Sequence, residues 1–281
     1  MLANTGELLR KAEAGNYAIG GFNIYNLEGV KAVIAAAELT KSPALLQIHP
    51  AAYEHGGNGL LALCRVYAEE ANVPISVHLD HSTSATDIET ALKYGVSSVM
   101  ADGSHLSLEE NIAFVRAAVE KANAAGATVE GELGRISGTE DGLTVEIIDA
   151  RMTNPDEAKD FVARTGIDML AVCIGNIHGK YPFPPKLDFD RLKAIHDCVD
   201  VPLVMHGASG LKEDDIKRSI ELGIRKFNVN TEVRNAYLQT LRDCMAQTQK
   251  MDLVTIMQHA ENAMKTVIME HMVFFGSAGQ A

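Results

Sequence analysis

Residues 77–82 read VHLDHS and close an apolar run that begins at Pro74; the run looks like a buried strand, yet it ends in His78, Asp80 and His81. Seven further runs have the same character: YAIGGFN (17–23), PALLQIH (43–49), SSVMADG (97–103), TVEGELG (128–134), MLAVCIGNIH (169–178), PLVMHGAS (202–209) and KFNVNT (226–231). With 74–81 they make eight. Between them lie stretches with apolar residues at helical spacing, among them 27–40, 84–94, 108–124, 154–165 and 212–222, with Ser, Asn or Asp near several of their starts. Strands alternating with helices imply parallel pairing through right-handed crossovers. Eight such units predict an α/β protein, a (β/α)8 TIM barrel, and 281 residues suit one such domain over 1–281. A doubly wound open sheet is the competing fold, but no GxGxxG turn follows the first strand. Residues 252–275 extend past the eighth unit as one or two extra C-terminal helices and are a candidate subunit contact.

The apolar fraction is 47%, and no run approaches the roughly 20 residues a bilayer span requires, so a soluble protein is expected. The N-terminal MLANTGELLRKAEAG reads as a helix capped by Asn4 with Glu7 three residues on, not as an export signal. Cys64, Cys173, Cys198 and Cys244 form no CxxC pair, which favours reduced thiols and a cytoplasmic address. A net charge of −12 without a basic stripe argues against nucleic acid as partner, and the lack of an apolar span argues against a membrane. An anionic substrate would have to be held locally, by a metal ion or backbone N–H groups.

Barrel enzymes place their chemistry at the C-terminal ends of the strands. Here those ends carry Asn23, His49, Asp80 with His81, Asp102, Glu132, His178, His206 and Asn228. One strand-end histidine is usually structural; eight polar ends together are a poor fit to that reading. His81, His178 and His206 could converge over the mouth, where three imidazoles would fill three positions on Zn²⁺ and leave the fourth open. The alternative is three unconnected histidines. Neighbours along a strand point to opposite faces unless its end twists, so Asp80 is read as a proton-transfer group beside the site, or as a carboxylate orienting a histidine. His78, deeper in the strand, is read as a packed partner. HGASG (206–210) and NVNTE (228–232) follow strands seven and eight, where barrels commonly bind phosphate through backbone N–H groups. GRISGTEDGLTVEIIDA (134–150), with three glycines around Glu140, reads as a long mobile loop, a candidate lid.

In order along nearly the whole chain, GGFNIYN, HLDHS, ADGSH, EGELGRISGTEDG, IGNIHGKY, HGASG, FNVNTE and FGSAG resemble the class II, metal-dependent ketose-bisphosphate aldolases, which act on fructose and tagatose bisphosphates. The resemblance implies that His81, His178 and His206 bind catalytic Zn²⁺, that Asp80 is the acid/base on the C4 hydroxyl, and that Asp102 and Glu132 serve a second, alternative metal position. It implies contacts to dihydroxyacetone phosphate from Gly179, Gly207, Ala208, Ser209, Asn228, Val229, Asn230 and Thr231. Glu140 matches an acid of the mobile loop that exchanges the C1 proton, and Asn23 matches a substrate-contacting asparagine. A homodimer or homotetramer is the expected assembly.

The chain departs from its relatives at His49, where a small hydroxyl residue is usual; a bulky ring there bears on the aldehyde half of the substrate, unless it turns away from the site. A Schiff-base aldolase would need a strand-end lysine, and neither Lys226, at a strand start, nor Lys180 is well placed. A metal-dependent sugar-phosphate isomerase and a silent sugar-phosphate-binding barrel are the remaining alternatives.

Overall fold

The period-two pattern of VHLDHS has a direct structural expression. In the computed structural model, which describes residues 1–140, 143–146, 150–179, 185–246 and 251–281 apart from the side chains at 140 and 143, strand β3 (Ile75–Ser82) sends Ile75, Val77 and Leu79 into the apolar layer under the helices. Ser76, His78 and Asp80 therefore face the opposite way, into the barrel. The same alternation recurs in β1 (Ile19–Asn23), β2 (Ala44–Ile48), β4 (Ser98–Ala101), β5 (Thr128–Leu133), β8 (Met169–Val172), β10 (Leu203–Met205) and β11 (Ile224–Val229). These eight parallel strands close in the order β1-β11-β10-β8-β5-β4-β3-β2. All eight strands expected from the sequence are present, and the (β/α)8 fold is confirmed.

The helices begin where short polar side chains can satisfy the first free N–H groups. Asn4 caps α1 (Thr5–Gly15) by accepting from Glu7 N, Asn26 caps α2 (Leu27–Thr40), Ser84 caps α4 (Ala85–Lys93) and Asn154 caps α6 (Pro155–Thr165). Ser107 and Glu110 form a reciprocal capping box on α5 (Leu108–Ala125). The segment 252–275 is a single helix, α10 (Leu253–Phe274), capped by Asp252 and preceded by α9 (Thr231–Ala246). Helix α1 plugs the floor of the barrel: its Leu8, Leu9 and Ala12 pack with the interior residues Ile19, Leu45, Met100, Met169 and Val204. Above that apolar floor the barrel lining becomes polar.

Two expectations change. The described residues within 134–150 are not structureless: β6 (Ser137–Glu140) pairs antiparallel with β7 (Leu143–Val145) and parallel with β9 (Ile177–His178). The two strands are only four and three residues long, too short for alternation to reveal, and β6 gains order by pairing with a distant segment. The sixth apolar run is also two pieces. β8 stops at Val172, the chain turns through Gly175 at φ +103°, and His178 lies on β9 in the separate sheet. No helix among the described residues is long and apolar enough to cross a membrane. All four cysteines are free.

Candidate active site

Adjacent residues in a regular strand cannot both face the barrel, yet Asp80 and His81 do. Between Leu79 and Ser82 the pairing of β3 with β4 shifts by one residue, and His81 adopts a left-handed backbone at φ +43°. This bulge turns His81 inward beside Asp80. The strand end is thus deformed where the sequence places two polar residues in succession, a cost of the kind that functional sites carry.

His81, His178 and His206 come together. Their candidate ligand nitrogens all lie within 4.8 Å of one another, and His81, Asp102 and Glu132 form a second group of the same compactness. The His81 ring centroid is 5.1 Å from that of His178 and 4.6 Å from that of His206. Two rings have an assigned direction. His81 Nδ1 donates to Asp102 Oδ2 at 2.8 Å and His206 Nε2 donates to Glu130 Oε1 at 2.7 Å, since a carboxylate there can only accept. The other nitrogens, His81 Nε2 and His206 Nδ1, are buried without a hydrogen bond, as is Glu132 Oε2, which lies 3.8 Å from His81 Nδ1 and 3.9 Å from His206 Nδ1. Buried lone pairs left unsatisfied are costly unless a cation takes them. The donor set of imidazoles and carboxylates fits a divalent metal such as zinc.

Electrostatics around the cluster are strongly coupled. Burial alone would raise the Asp80 carboxyl, but His81 and Lys226 outweigh it and hold Asp80 well below the usual range. Asp80 is therefore a carboxylate, accepting from Asn228 Nδ2 at 3.2 Å and from Asn23 Nδ2 at 3.5 Å. Burial opposes charge on His81, yet Asp80, Asp102 and Glu132 raise it well above the usual histidine value. Burial and then Asp102 push Glu132 up. Burial, reinforced by Lys226, lowers His78 to about 3 and keeps it neutral. His78 Nδ1 meets Ser98 Oγ at 2.7 Å, while its Nε2 faces Asp80 Oδ1 at 3.8 Å and Glu130 Oε2 at 3.7 Å. It lies beneath Asp80 as a packed partner, as its depth in the strand suggested.

The remaining sequence candidates fall around this centre. Gly207, at φ +66°, packs so closely on the neighbouring chain that a Cβ would stand 1.9 Å from Ile177 O. Ala208 N donates to Asn228 O, Ser209 Oγ accepts from Glu232 N, and Asn230 Oδ1 accepts from Tyr25 OH at 2.7 Å. Gly179 has φ +85° and Thr231 opens α9. Val229 and Ala208 belong to the apolar core, so any ligand contact they make is through main chain. The Glu140 side chain and Lys180 lie outside the described residues. His49 does not turn away. It caps α3 (Pro50–Glu70) through Nδ1, is buried, and lines a small cavity with His81, Asp102, Glu132, Arg135 and His178.

Sequence reading passed over Glu130 and considered Lys226 only as a Schiff-base candidate, which it set aside. Both are fully buried inside the barrel, with Lys226 Nζ on Glu130 Oε2 at 2.8 Å. Their signal was the spacing E-x-E at 130 and 132 and K-x-N at 226 and 228, which puts each on the same face as a mouth residue two positions later.

A closed parallel barrel with converging histidines and carboxylates at its C-terminal mouth is a barrel enzyme's architecture with a site that could hold a metal ion. The profile described as fructose-bisphosphate aldolase class-II matches residues 3–280. The chain is 43% identical over 275 residues to the D-tagatose-1,6-bisphosphate aldolase subunit GatY of Klebsiella oxytoca, covering 97% of each. It is 35% identical to the crystal structure of the YdjI aldolase from Escherichia coli K12, at a TM-score of 0.89 and full coverage of both chains. The fructose-bisphosphate aldolase of Campylobacter jejuni, 22% identical at a TM-score of 0.81 with 100% of this chain and 97% of that one covered, shares the fold. The chain belongs to the class II fructose-bisphosphate aldolase family, and it is an aldolase, a carbon–carbon lyase.

Proposed function

We propose that the chain cleaves a phosphorylated ketose, tagatose 1,6-bisphosphate, fructose 1,6-bisphosphate or a close analogue, into dihydroxyacetone phosphate and an aldehyde such as glyceraldehyde 3-phosphate. The observation that carries this reading is the convergence of His81, His178 and His206 beside an ionised Asp80. The three histidines would hold Zn²⁺, with Asp102 and Glu132 around a second position. When bound, zinc supplies Lewis-acid stabilisation of the negative charge that builds on the ketose oxygens.

The chain's own groups do the rest. As the C3–C4 bond breaks, its electron pair stays with C3 and the C4 hydroxyl proton passes to Asp80, so C4 leaves as the aldehyde. Asn23 and Asn228 fix the Asp80 carboxylate through hydrogen bonds to separate oxygens, which keeps it oriented without neutralising it. Asn228 also serves as a donor toward the enediolate. Glu140 then returns a proton to the carbon that was C3 of the ketose and is C1 of dihydroxyacetone phosphate, which accepts the electron pair left there. The backbone around 179, 207–209 and 228–231 binds the phosphate, which explains how a chain of net charge −12 holds an anion. His49 bounds the pocket on the aldehyde side and restricts what that half can be.

The free cysteines support a cytoplasmic address. The exposed apolar residues Met245, Leu253, Val254 and Val273 near the C-terminal helices support a homodimer or homotetramer, which a mass measurement in solution tests. The assay for the reaction is product analysis over a panel of phosphorylated ketoses with zinc. Release of dihydroxyacetone phosphate from at least one ketose is expected, and rearrangement without cleavage would contradict the reading.

A further inference from the structure

The polar layer one pleat below the mouth has no part in the chemistry proposed above. Glu130 precedes Glu132 by two residues on β5, and Lys226 precedes Asn228 by two on β11, so each shares the inward face of its strand. Both side chains are fully excluded from solvent, which is rare for either residue type unless it is paired. Glu130 divides its oxygens: Oε1 accepts from His206 Nε2 at 2.7 Å, and Oε2 accepts from Lys226 Nζ at 2.8 Å. A carboxylate that only accepts places the ring proton on Nε2 and leaves Nδ1 with its lone pair. That Nδ1 has no hydrogen-bond partner and lies 3.9 Å from Glu132 Oε2, and His206 belongs to the cluster with His81 and His178. With the proton on Nδ1 instead, the ring would present an N–H to the cluster and could hold no cation.

We propose that Glu130 and Lys226 are positioning residues that select the metal-binding tautomer of His206: Glu130 claims Nε2–H, and Lys226 holds Glu130 in place and balances its charge. This rests on the zinc reading above. A purely structural ion pair would need only the contact between Lys226 and Glu130; the second oxygen on His206 is what ties the pair to the site. His81 offers the parallel case with the opposite polarity, since Asp102 claims its Nδ1 and leaves Nε2 buried without a hydrogen bond. Each of these two rings thus has its own carboxylate, and the two carboxylates come from different layers. Burial acts to raise the Glu130 carboxyl, but Lys226 and the hydrogen bond from His206 hold it below the usual range, in keeping with an ion-paired acceptor. Lys226, committed to this pair, is also no candidate for Schiff-base chemistry.

The test begins with the wild-type chain, so that folding of a variant does not decide it. Ring ¹⁵N NMR of histidine-labelled, metal-free protein at mildly alkaline pH, assigned by difference against His206→Gln, is expected to show His206 protonated at Nε2 and bare at Nδ1. A proton on Nδ1 overturns the proposal. Zinc dissociation constants, measured by competition with a chromogenic chelator, provide the second readout. Glu130→Gln is expected to bind zinc about 10–100-fold more weakly. Lys226→Met weakens binding less, and the double variant is no worse than Glu130→Gln alone, because Lys226 acts through Glu130. An affinity within about twofold of wild type in folded Glu130→Gln overturns the role of Glu130 by the scale of such effects, and additive losses in the double variant remove Lys226 from it. If the wild-type chain binds no zinc, the functional reading fails instead, while the NMR result still decides the tautomer.

Discussion

Two of the three converging histidines are held differently from the third. His81 and His206 leave barrel strands β3 and β10, and each donates to a buried carboxylate, Asp102 or Glu130. His178 sits on β9, outside the barrel sheet, in a segment gripped by backbone: Ser137 and Gly138 of β6 pair with Ile177 and His178 on one side, and Gly207 presses on Ile177 from the other. Asn176 ties the approach together by donating to His206 O at 3.1 Å. One half of the site is therefore braced by side-chain charge, the other by main-chain packing. The difference teaches that a three-histidine site can be assembled from the rigid barrel plus one arm that depends on a small neighbouring sheet.

The largest effect tests the braced half. Asp80→Ala should lower cleavage by about 10²–10⁴-fold, the range for loss of a general acid/base, while zinc affinity measured by chelator competition stays close to wild type; unchanged turnover would remove Asp80 from the reaction. Next comes the packed half. At Gly138 a Cβ would stand 2.1 Å from His178 O, at φ +115°. Gly138→Ala should displace His178 and cost about 10²-fold in kcat/KM, as misplacement by about 1 Å can, with a melting temperature near that of wild type because the barrel is untouched. A melting temperature that falls steeply would show that the two halves are one cooperative unit.

Asp102→Asn attacks the brace on His81, together with the second metal position proposed for Asp102, and should weaken zinc by about 10–100-fold. The pH dependence follows with its sign fixed by His81. Burial opposes its charge, but Asp80, Asp102 and Glu132 raise its folded value well above the usual one. Zinc must displace that proton, so affinity should strengthen as pH rises toward the raised value and weaken below it, by up to about tenfold per pH unit for each proton displaced. A flat titration of affinity between mildly acid and mildly alkaline pH would contradict the assignment of His81 as a ligand. The smallest effect is a control on the outer helix layer: Asn154→Ala removes the cap of α6 and should cost about 1 kcal/mol of stability with no change in zinc affinity.

How much of this was legible in the sequence follows the same division. VHLDHS, with its apolar alternation breaking into His and Asp, exposed a barrel strand and two site residues, because burial on the outer face forces a period of two. That period also placed His78 below Asp80. It could not show that His81 turns inward, since the bulge depends on pairing with β4, and local propensity carries no mark of it. Nor could it separate β8 from β9: the apolar run 169–178 is continuous in composition, and only the turn at Gly175 divides it. The hairpin of β6 and β7 was hidden for a related reason, as strands of four and three residues show no readable period and β6 gains its order from a partner far away in the chain. Glu130 and Lys226 were written into strands at the right spacing, yet a charge inside a strand reads as an exposed face until closure of the barrel makes that face the interior.

The central claim is that the three histidines hold a metal on which cleavage depends, and it is tested most directly by following dihydroxyacetone phosphate release from tagatose 1,6-bisphosphate and fructose 1,6-bisphosphate before chelation, after it, and after zinc is restored. Loss of release on chelation and recovery on addition of zinc is the predicted result; release that continues undiminished in the fully chelated protein would contradict it.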